Sequence, residues 1–122
     1  MTSIVNYIIT ILLIIAVDLP WLVLGSKTSK AMILSIQGSE LKMRWVPGLL
    51  VYIALAYLVH LPKSSRDAFL LGLCTYAVYD FTNYATLKNY SLQFAVMDSL
   101  WGGILFLIVY QLLKLIDLSL KI

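Results

Sequence analysis

Residues 3–25, SIVNYIITILLIIAVDLPWLVLG, form an apolar run broken only by one acid, Asp18, and one proline, Pro20. About 20 mostly apolar residues suffice for a helix to cross the hydrocarbon core of a bilayer. The stretch Met1 to Val17 has no Lys or Arg to make a basic n-region, and no small-residue cleavage motif follows it. It therefore reads as a membrane helix rather than a signal peptide.

Three further runs of similar character follow. They cover Trp45 to Leu61, ahead of Pro62; Arg66 to Leu87, where Ser64 or Ser65 can cap the helix and Asp67 suits its positive N-terminus; and Leu92 to Leu115. The whole composition agrees: 61% of the 122 residues are hydrophobic, 12% are charged, and the mean hydropathy is +0.93. An ordinary soluble domain carries about 25% charged residues. The expected architecture is all-α, a polytopic integral membrane protein forming one domain over residues 1–122. It is a four-helix transmembrane bundle with a long first loop, Ser26 to Arg44. The two short later turns imply antiparallel neighbours. Within the first loop, Ala31 to Ile36 (AMILSI) reads either as a short interfacial helix broken at Gly38 or as an irregular surface loop.

The net charge of +3 is spread over the ends of the apolar runs, where membrane proteins place cations. Nucleic-acid binders gather such charge on one face, so no nucleic-acid partner is expected. Lys63, Arg66, Lys114 and Lys121 fall on one side of the bilayer, and Lys27, Lys30, Lys42, Arg44 and Lys88 on the other. Four against five sets no orientation. The lone Cys74 excludes an intramolecular disulfide and a cysteine metal knuckle, and no metal or cofactor motif is present.

The informative residues are the acids inside the runs, because a carboxylate near the bilayer centre costs about 2.5 to 3.5 kcal/mol on insertion scales. With the side of the first and third loops as reference plane, Asp18 lies seven residues before Gly25. Asp80 lies seven before Leu87, and Asp98 six after Leu92. At 1.5 Å per residue all three sit about 10 Å below that plane and can share one layer. Trp21 follows Asp18, and Trp101 follows Asp98, at helical spacing; Tyr76, Asp80, Asn83 and Tyr84 make one polar and aromatic stripe. Each indole has one donor to offer a carboxylate. Gly102 and Gly103 allow close helix approach, and Pro20 leaves a backbone carbonyl unpaired beside Asp18.

No Lys or Arg occurs in the interior of the runs, so the three acids are left to bind a proton or cation, to accept hydrogen bonds from Trp, Tyr, Thr82 and Asn83, or to meet Lys42 or Arg44 folded back onto the layer. A hydrogen-bonded cluster that only fixes packing is the alternative. His60 falls on the opposite side of the bilayer and reads as an interfacial histidine. Trp45, Tyr52, Tyr57, Tyr90 and Tyr110 read as interfacial belts and packing residues.

The segments IAVDLPWLVL (15–24), YDFTNYATLKNY (79–90) and MDSLWGG (97–103) resemble, in order and spacing, a family of predicted membrane proteins called domain of unknown function 2177. Residue by residue, the resemblance singles out Asp18, Trp21, Tyr79, Asp80, Thr82, Asn83, Asp98, Trp101 and Gly102. It departs at Pro20, where a small residue is usual, at Tyr90, where Trp is common, and in the first loop, which lacks an aromatic pair. The family brings no established activity.

The candidate ligand- or ion-binding residues are thus Asp18, Trp21, Tyr76, Tyr79, Asp80, Thr82, Asn83, Asp98 and Trp101. Three functions stay open. One is an intramembrane site that binds or conducts a proton or small cation, as an oligomer. Another is an accessory subunit packed against other membrane proteins. The third is a lipid-modifying enzyme, which lacks a nucleophile motif. Membrane lipid is the partner common to all three.

Overall fold

The computed structural model describes residues 3–121, with side chains up to residue 117, so Met1 and the side chain of Lys121 fall outside the described residues. Four helices follow one another: α1 (Ile4–Gln37), α2 (Trp45–Val59), α3 (Ser65–Thr86) and α4 (Leu92–Lys121). Side-chain caps open three of them. The hydroxyls of Ser3, Ser64 and Ser91 accept the backbone N–H groups of Asn6, Asp67 and Phe94, satisfying donors that a helix start leaves free. The expected long first loop is not there. α1 runs past Gly25 to Gln37 and ends at Gly38, whose left-handed φ of 74° is open to a residue without Cβ. Gly25 weakens a helix by only about 1 kcal/mol. The polar turn after it stays helical because the added segment finds a partner: Met32 packs with Tyr90 and Ala95, and the Asn89 side chain donates to the Ser35 carbonyl.

The helices form an up-and-down bundle in which α1 touches α2 and α4 and lies diagonal to α3. α3 and α4 make the closest pair. A Cβ built on Gly72 would collide with the Gly102 carbonyl oxygen, and one on Gly102 with the Tyr76 ring, so both backbones are in direct contact with the facing helix. The main apolar core, Ile14, Leu55, Ala56, Val59, Leu105, Phe106 and Val109, fills the half of the bundle away from the α1 extension. The Met32, Tyr90 and Ala95 cluster closes the other end. Outward faces are apolar, with Leu12, Val23, Leu50 and Val78 exposed, which suits a hydrocarbon solvent. α1 and the Leu92–Asp117 part of α4 are long and apolar enough to cross a membrane; α2 is apolar and shorter.

Candidate functional site

Between the two apolar clusters lies a polar layer built from every helix. Asp18, Asp80 and Asp98 are 5, 0 and 8% exposed, in a bundle where burial of a carboxylate demands partners. The partners are exchanged between helices. Trp21 of α1 donates its indole N–H to Asp98 Oδ1 of α4 at 2.9 Å, while Trp101 of α4 donates to Asp18 Oδ1 of α1 at 2.8 Å. The two Asp-x-x-Trp segments run antiparallel, so each tryptophan, one turn from its own acid, comes level with the acid of the facing helix.

Two tyrosines that the sequence alone marks as belt or packing residues complete the layer. Tyr52 of α2 donates to Asp18 Oδ2 at 2.8 Å, and Tyr90 of the α3–α4 turn donates to Asp80 Oδ1 at 2.8 Å. A signal for Tyr52 was available: it lies seven residues after Trp45, which gives it the same depth as the acids. Tyr90 reaches back along α3 from the turn. Burial, reinforced by the bond to Asp80, pushes its phenol above the usual tyrosine range. Asp80 Oδ2 is buried and receives no hydrogen bond, and it stands beside Asp98, with the Ser99 hydroxyl near.

The remaining candidates divide. Tyr76 lies within electrostatic reach of all three acids, and Asn83 is close to the hydroxyls of Tyr79 and Tyr90. Thr82 is exposed, its carbonyl accepting the Thr86 hydroxyl, and Tyr84 is also exposed, so neither joins the layer. His60, as its position at the end of α2 suggested, is remote from the acids. It bonds Thr10 at 2.8 Å and meets the Tyr7 ring edge-on. Since the Thr10 hydroxyl gives its proton to the Asn6 carbonyl, His60 Nε2 must be the donor of that pair.

A cavity of about 610 Å³ opens on the layer. Asp18, Trp21, Tyr52, Tyr76, Tyr79 and Asp98 make its polar part, and Leu22, Val51, Leu55 and Leu58 are among its apolar walls. Its lining on α2 runs from Gly48 to Leu58, about 15 Å along the helix. Ser29 and Met43 stand at the end nearest the α1 extension. Among the described residues no group of three or more His, Cys, Asp or Glu side chains is placed to hold a metal ion.

Apolar helices closed around a buried layer of acids and tryptophans define a helical membrane protein. The chain belongs to the family of predicted membrane proteins called domain of unknown function 2177, whose model matches residues 3–112 and so includes every residue of the layer. Comparison with curated proteins and with solved structures gives no match.

Proposed function

We propose that the protein crosses the membrane four times and acts there as a binding module for an amphiphile, whose hydrogen-bond-donating end meets the acid layer and whose hydrocarbon part lies in the apolar cavity. The cavity carries this reading. Ligand sites are typically concave, about 300 to 1,000 Å³, mostly apolar and fitted with a few convergent polar groups. Here two acids from facing helices, Asp18 and Asp98, converge in such a space.

Conduction of a proton or small cation, the other use of buried acids, finds less support. On the far side of the layer, Ile14, Leu55, Leu105, Phe106 and Val109 pack as an apolar plug before the Thr10–His60 pair is reached. Native mass spectrometry of the protein released from lipid nanodiscs tests the binding reading. A bound amphiphile is expected, and Val51→Trp, which fills the cavity wall, is expected to remove it. Equal occupancy in the parent and this variant would refute the reading.

A further inference from the structure

Resting on that binding reading, we propose that the polar end of the ligand is an ammonium group held between Asp18 and Asp98, so that the ligand class is a single-chain amine. The cavity lining contains two carboxylates and no Lys or Arg. Lys27, Lys30, Lys42, Arg44 and Lys88, the cations at this end of the bundle, are exposed and lie outside that lining. A ligand that carries positive charge is the complement of such a lining. The rings around the acids serve the same end. Trp21, Tyr52, Tyr76, Tyr79 and Phe94 line the cavity, and aromatic faces attract a cation, most strongly where water is excluded.

The hydrogen-bond inventory separates an amine from an alcohol. The four donors described in the layer, Trp21, Trp101, Tyr52 and Tyr90, do not saturate three carboxylates, whose oxygens each accept about two bonds. Asp80 Oδ2 receives none, although the residue is fully buried beside Asp98. A hydroxyl brings one donor, and a primary ammonium brings three together with the missing charge. Asp98 and Asp18 take two of its donors.

Dodecylamine and dodecanol share one chain and differ at the head, so titrating each into the full-length protein in phosphatidylcholine nanodiscs, followed by tryptophan fluorescence, isolates the ammonium. Dodecylamine is expected to bind at least about tenfold more tightly than dodecanol. Asp98→Asn is expected to abolish the preference for the amine over the alcohol. Should Asp98→Asn lose dodecanol as well, Asp18→Asn carries the same comparison. Equal affinity for the two probes would overturn the ammonium assignment and leave the binding reading standing. Binding of neither would overturn both. An amine preference undiminished in both variants would place the cation elsewhere and overturn the assignment.

Discussion

The indole rings of Trp21 and Trp101 stack with centroids 5.7 Å apart and planes 16° from parallel, while each donates to the aspartate on the other's helix. The stack and the two bonds form one closed unit, so its parts do not act independently. Trp21→Phe and Trp101→Phe each keep an aromatic ring and delete one donor, leaving a buried carboxylate oxygen short of a bond. Each is expected to destabilise the bundle by about 1 to 3 kcal/mol. The double variant is expected to lose less than the sum, by roughly 0.5 kcal/mol or more, because the first substitution already loosens the contact removed by the second. Unfolding in detergent followed by circular dichroism reads the cycle, and strict additivity would contradict a single unit.

Gly72 and Gly25 predict opposite outcomes for the same substitution. At Gly72 a methyl group meets the Gly102 carbonyl and the Phe106 side chain, and backbone cannot yield as a flexible side chain can. Gly72→Ala is expected to cost about 3 kcal/mol or more, in the range of severe overpacking. A Cβ at Gly25 meets nothing within 4 Å, so Gly25→Ala is expected to be neutral or stabilising by up to about 1 kcal/mol. Thermal unfolding of the two purified variants compares them directly.

Tyr52→Phe removes the donor to Asp18 and is expected to change amphiphile affinity severalfold. Tyr57→Phe, on the exposed face of the same helix, is expected to leave it unchanged. A titration of the parent and both variants with one probe distinguishes a tyrosine of the site from a tyrosine of the belt. Equal effects would remove Tyr52 from the site.

Thr10→Val deprives His60 Nε2 of its acceptor on the far side of the apolar plug. A loss of about 1 kcal/mol in stability is expected, with amphiphile binding unaltered. Nitrogen NMR of the parent is expected to find the His60 ring proton on Nε2, as the bond from Thr10 to Asn6 requires.

Much of this organisation is legible in the sequence because hydrocarbon imposes long apolar runs and makes every buried acid conspicuous. The end of α1 was not legible. Ser26, Lys27 and Ser29 look like a loop, and what keeps them helical is the docking of Met32 on Tyr90 and Ala95, a contact made far away along the chain. The acids and their tryptophans announced a layer through depth and spacing, yet the exchange of partners needed the relative register of α1 and α4. Tyr90 eluded the depth argument altogether, because it belongs to a turn and enters the layer by the reach of its side chain.

The exchange of partners also has a place in time. Asp18 and Trp101 are 83 positions apart, so at about 5 to 20 residues per second the ribosome needs roughly 4 to 17 s to supply the donor after the acceptor has been made. Throughout that interval the first helix carries its aspartate without the indole that will satisfy it. The pairing of α1 with α4 therefore waits on α4, and until then Asp18 has no indole to satisfy it.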